Sequence, residues 1–122
     1  MSAQILIVNH FDAVREMLAE ILRYHDYDVS VVRDSAAAIQ LCEEQSPDLM
    51  VLAAGNPGLD AISVAESLHG RVPFLIHSDL PDSSGEVKTL YALGAVGKLT
   101  NGPRLHDVIA TALRGVTSEQ TS

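Results

Sequence analysis

The sequence predicts an α/β domain, a doubly wound five-stranded parallel sheet with helices on both faces, and three observations predict it. Short apolar runs recur at regular intervals: Ile5–Val8, Val29–Val32, Leu49–Ala53, Phe74–Ile76 and Ala95–Leu99. Runs such as ILIV and LMVL are continuous, which suits strands covered on both faces, whereas a strand with one wet face would alternate. Between the runs lie segments with helical spacing, and strand–helix alternation with short links requires parallel pairing through right-handed crossovers.

Each element has its own warrant. After the first strand, FDAVREMLAEILRYH places Val14, Met17, Leu18, Ile21 and Leu22 on one helical stripe, with Arg15, Glu16, Glu20 and Arg23 mainly opposite. The second strand is flanked by Asp28 and Asp34 and is expected at a sheet edge. DSAAAIQLCEEQ reads as an alanine-rich helix with Ser35 as its N-cap, and Cys42 as a small buried residue within it. DAISVAESLHG is expected to be capped by Asp60 and ended by Gly70. The fourth helix runs from Ser83 or Ser84 to Gly94, and the fifth from Pro103 in a first turn to Gly115.

Length and composition set limits on this picture. With 122 residues, 47% of them hydrophobic, one domain over 1–115 can bury a core of its own, and the polar VTSEQTS over 116–122 is expected as a flexible tail. A formal charge of −8 repels phosphates and anionic lipids, so neither nucleic acid nor membrane is an expected direct partner. One cysteine forms no internal disulfide and no thiolate metal cluster. No apolar run reaches the roughly 18 residues of a membrane span, and a soluble, cytoplasmic protein is expected.

In an open doubly wound sheet, ligands bind beyond the carboxyl ends of the strands, near the switch in strand order. Those ends carry Asn9 and His10, Ala53 to Gly55, Ser78 and Asp79, and Thr100 to Gly102. Asn9 does not activate the Ser78 hydroxyl, and no hydrolase triad is present in the pattern. His77, one residue before Ser78, is expected to be buried on the opposite side of the sheet, away from the crevice.

Four blocks, ILIVNHFDAVREMLAEIL, SPDLMVLAAGNPGLDAI, VPFLIHSD and LGAVGKLTNG, together resemble the receiver domain of two-component response regulators, from Ile5 to about Arg114. The resemblance implies a flavodoxin-like, CheY-like fold with strand order 2-1-3-4-5. It also implies a set of positions for phosphoryl transfer from a histidine kinase. The acidic pair that helps to hold Mg²⁺ falls on Asn9 and His10, the phosphoacceptor aspartate on Ala53, the Ser/Thr on Ser78 and the lysine on Asn101. The switch aromatic falls on Lys98, and Gly102 stands where a proline usually follows the lysine.

If those positions correspond, the chemistry is gone. A methyl group offers no lone pair to phosphorus, and a neutral Asn, His and Ala set does not supply the oxygen ligands Mg²⁺ requires. Neutral residues also avoid the repulsion of clustered carboxylates, which is a structural reason for the same pattern. The expectation is therefore a degenerate receiver, a non-enzymatic pseudo-receiver without Mg²⁺ or other cofactor, acting as a phosphorylation-independent interaction module in a two-component pathway. The expected partner surface is the α4–β5–α5 face with Lys88, Tyr91, Lys98, Arg104 and His106, binding a histidine kinase, an output protein or a second copy. Lys98 is expected to face solvent there, in preference to pairing with Asp79 or Glu86. His25, His69 and His106 are expected at the surface. Two alternatives remain: a small-molecule or metal sensor using the emptied crevice, with His10 as a ligand or pH-sensing group, and a receiver phosphorylated elsewhere, with Asp79 as the candidate.

Overall fold

In a computed structural model, which describes residues 2–100 and 105–121 and side chains as far as residue 115, strands and helices alternate throughout. The order is β1 (Gln4–Val8), α1 (Asp12–Tyr24), β2 (Asp28–Val32), α2 (Ser35–Gln45), β3 (Leu49–Ala53), α3 (Ala61–Leu68), β4 (Phe74–His77), α4 (Gly85–Ala92), β5 (Gly97–Leu99) and α5 (Leu105–Thr121). All pairings are parallel, in the order β2-β1-β3-β4-β5. The sheet class and strand order match the sequence expectation. Helix α5 continues past Gly115, where its end was expected, through Thr121 and so into the stretch expected as a tail.

The continuous apolar runs are explained by two cores. Leu6, Val8, Met50, Leu52, Phe74 and Ile76 face one side and pack with α2, α3 and α4 residues such as Cys42, Val64 and Leu90. Ile5, Ile7, Leu49, Val51 and Leu75 face the other side, with Leu18 and Leu22 of α1 and Leu105 and Ile109 of α5. Alternate residues thus feed opposite cores, and no position in β3 is left for a polar residue. Each fully buried Leu or Ile stabilises the fold by about 1.5–3 kcal/mol. At the edge, β2 is covered only in part, and Val31 is exposed.

Several local expectations need correction. Met17 is exposed, and the stripe of α1 closes instead on Leu18, Ala19 and Leu22. The N-cap of α2 is Asp34, whose Oδ1 accepts from Ala37 N at 2.8 Å. Ser35 is the first helical residue, and its hydroxyl accepts from Asp60 N at 2.8 Å, tying the start of α2 to that of α3. Asp60 does cap α3, through Ser63 N. That helix ends earlier than expected because His69 already takes the left-handed conformation, followed by Gly70. Ser84, of the two serines considered, caps α4. Strand β5 is shorter than its apolar run, with Val96 exposed before it. Pro103 lies outside the described residues. Cys42 is buried in α2 as expected, and burial pushes its thiol upward.

Candidate functional site

The switch between β1 and β3, where the chain leaves toward opposite edges, opens a crevice beyond the strand ends. It holds a cavity of about 330 Å³. Phe11, Val14, Ala54 and Leu80 form its apolar walls, and Asn9, Asn56, His77, Ser78 and Asp79 its polar ones. The β3–α3 loop reaches it through Gly55, whose φ of +80° suits glycine.

Asn9 organises the first strand end. It is 2% exposed, so its polar atoms must find partners within the protein. Its Oδ1 accepts from Phe11 N at 2.9 Å and its backbone carbonyl from Arg15 Nη1 at 2.8 Å. Its amide nitrogen lies 3.4 Å from His77 Nδ1, where it donates when the imidazole proton sits on Nε2. Arg15 also binds Asp12, and that guanidinium holds the Asp12 carboxyl below its ordinary value of 3.8.

The placement of His77 corrects the parity argument. It is buried, but it lines the crevice instead of lying away from it. The cavity extends around the strand ends to the α1 side, under Val14, where His77 follows Leu75 on the same face of β4. Ser78 reaches the cavity from just beyond the strand, and its Oγ accepts from Leu80 N at 2.9 Å.

The remaining positions are less concentrated. His10 does not line the cavity; its backbone N–H donates to Asn56 Oδ1 at 2.9 Å, and its ring meets Phe11 edge to face. Ala53 has no exposed surface and packs in the α2–α3–α4 core. Asn101 lies outside the described residues. Asp48 is at the opposite end of β3, accepting from Gln4 N, and Asp60 is a helix cap. Asp79 is exposed on the rim. Among the described residues, no three His, Cys, Asp or Glu side chains come together.

The α4–β5 surface is partly as expected. Lys88 and Tyr91 are exposed, separated by the three residues that make neighbours on a helix face. Lys98 is not a solvent-facing residue. Its side chain is only 15% exposed, and Nζ lies 3.0 Å from Asp82 Oδ1, so its partner is Asp82 in the β4–α4 loop and neither Asp79 nor Glu86. His106 turns away from this face toward α1, stacked on the His25 ring at 3.7 Å between centroids and 3.4 Å from the Tyr27 hydroxyl. Arg104 lies outside the described residues. The sequence reading missed Asn56 and Phe11 as crevice residues, although both flank positions it named.

Comparison with known proteins agrees with this architecture. The family model for the response regulator receiver domain matches residues 5–110. Response regulator MprA of Mycobacterium tuberculosis (strain ATCC 25618 / H37Rv) is 36% identical over 79 residues, covering 62% of this chain and 34% of that protein. MprA of Mycobacterium ulcerans is 35% identical over a stretch of the same length. The match thus spans about a third of the length of these curated relatives. The signal receiver domain of a putative LuxO repressor from Vibrio parahaemolyticus superposes with a TM-score of 0.84 at 20% identity, covering 99% of this chain and 97% of the other. The response regulator domain of Thermotoga maritima CheB gives 0.77 at 17% identity, covering 100% and 98%. At such identities these structures speak to the fold.

Proposed function

The chain belongs to the response regulator receiver domain family, and from that premise we propose that it serves two-component signalling as a phosphorylation-independent protein-interaction module. The observation that carries this reading is Ala53: the position corresponding to the phosphoacceptor holds a methyl group with no exposed surface, packed in a core. A side chain without a lone pair forms no acyl phosphate.

The neighbouring residues support the same reading. Mg²⁺ takes oxygen ligands in near-octahedral geometry, and the set here does not fit it. The Asn9 oxygen is held by Phe11 N, the His10 ring rests on Phe11, and Ala53 offers no donor. The position of the switch aromatic is filled by Lys98, whose bond to Asp82 spans β5 and the β4–α4 loop. This contact favours one arrangement of that loop. The domain is accordingly a fixed docking element, with no chemical step of its own. Its partner, a histidine kinase, an output protein or a second copy, meets the exposed side of α4 and β5 around Lys88, Tyr91 and Val96.

A second reading, phosphorylation at Asp79, is favoured by that residue's exposure on the crevice rim. Intact-mass measurement after acetyl phosphate treatment, with and without Mg²⁺, separates the two. The expected result is no gain of a phosphoryl mass; a stoichiometric gain overturns the phosphorylation-independent reading, and its loss in Asp79→Asn assigns the site. Substituting Tyr91→Ala together with Lys88→Glu should abolish capture of the partner, and unchanged self-association and pull-down would place the docking surface elsewhere.

A further inference from the structure

We propose that the crevice is a binding site for a small uncharged molecule that joins a flat apolar ring to a hydrogen-bonding carbonyl, the chemical class of aromatic carboxamides. The cavity of about 330 Å³ lies within the range of ordinary small-molecule sites, roughly 300–1,000 Å³.

Its walls divide by chemistry. Phe11, Val14 and Leu80 give an apolar side, and Phe11 keeps 47% of its surface exposed while lining the cavity, so a ring can enter against it. Asn9, His77 and Ser78 lie on the polar side and are 2%, 7% and 7% exposed. Buried polar groups converging on a cavity opposite an apolar wall are the usual signature of an orienting site. The Asn9 amide carries two hydrogens, and the His77 contact occupies one. Ser78 Oγ accepts from Leu80 N, which leaves its hydroxyl hydrogen able to turn toward a ligand carbonyl.

Charge decides which isostere fits. Among the described residues, no Lys or Arg lines the cavity, and Asp79 supplies its one formal charge. Of the cations in this part of the fold, Arg15 is engaged by the Asn9 carbonyl and Asp12, and Lys98 by Asp82. An anion would therefore meet a carboxylate and no neutralising partner. A neutral carboxamide instead presents its carbonyl to the Asn9 and Ser78 donors and its amide hydrogens to Asp79. This inference concerns the same crevice as the proposal above but does not depend on it, and the acetyl phosphate result leaves it standing or falling on its own test.

That test uses the full chain, isotope-labelled, and a pair of isosteres, benzamide and benzoate. Titration with benzamide into the millimolar range should give saturable shifts in the Asn9 and Asn56 side-chain amides and the Gly55 backbone amide. Benzoate should bind at least about tenfold more weakly. Ser78→Ala should weaken benzamide roughly two- to tenfold, the worth of one hydrogen bond. Ala54→Leu, which fills the cavity from an apolar wall, should remove the shifts while the rest of the spectrum remains folded. Absent or non-saturating shifts, shifts centred outside the crevice, benzoate binding as tightly as benzamide, or an undiminished affinity in a folded Ser78→Ala protein would each overturn the proposal.

Discussion

Restoring a carboxylate by Ala53→Asp tests the reading of the crevice most directly. Ala53 has no exposed surface, and no Lys or Arg lines the neighbouring cavity among the described residues. The new side chain adds volume to a packed site, at about 1–3 kcal/mol. It also brings a carboxyl group into surroundings that disfavour its charge, adding about 1–3 kcal/mol once partial hydrogen bonding is allowed for. Ala53→Asn carries the volume without the charge, so the difference between the two variants isolates the second cost. An aspartate whose native pKa is raised binds its proton more tightly folded than unfolded. The Asp variant should therefore lose stability relative to the Asn variant as pH rises from about 4 through the raised native value, and lose no more beyond it. At pH 7 the total of about 2–6 kcal/mol corresponds to a fall in Tm on the order of 6–30 °C for a domain of this size. Urea titrations of both variants between pH 4.5 and 8, each with and without millimolar MgCl₂, measure it. If Ala53→Asp were as stable as the parent, or Mg²⁺ restored it by binding the native state, the crevice would still be a cation site and the reasoning would fail.

Three further outcomes follow from the same contacts. Asn9→Ala removes the acceptor for Phe11 N and the amide facing His77, and should destabilise by about 1–3 kcal/mol in chemical denaturation. Lys98→Met should cost only about 0.5–1 kcal/mol at low salt, because Asp82 is largely exposed, and the difference should shrink in 1 M NaCl. Asp12 titrates below its ordinary value of 3.8 because of Arg15; its stabilising contribution is present above that value and lost as pH falls through the lower native one. The gap between the parent and Asp12→Asn should therefore close in acid, and a gap constant from pH 7 to pH 3 would show that the Arg15 contact is absent in solution.

The fold was legible because the apolar runs are long enough to feed two cores at once, and only a doubly covered sheet requires that. Strand ends were less legible. Gln4 and Asp28 belong to β1 and β2 through backbone pairing with each other, which no side-chain pattern announces. The cap of α2 turned on a distant contact: Asp34 and Ser35 are both good N-cap residues, and Ser35 is instead engaged by Asp60, twenty-five positions away. The positions of the crevice residues were readable from the strand-end rule, but their orientations were not. Strand parity turns His77 away from a cavity above the sheet, but the cavity wraps toward α1 and reaches it. The partner of Lys98 sits in a loop whose path the sequence does not encode in any simple periodicity.

The stack of His25 on His106 joins the end of the first helix to the start of the last, and the surrounding core does the same through Leu18, Leu22, Leu105 and Ile109. On a ribosome this imposes an order of events. The core shared by α2, α3 and α4 can close as soon as α4 and its strands have emerged. The opposite face of the sheet, with Ile7, Val51 and Leu75, waits for α5 to be made. A nascent chain halted before residue 105 would expose that apolar face, and it is the species on which a chaperone would act.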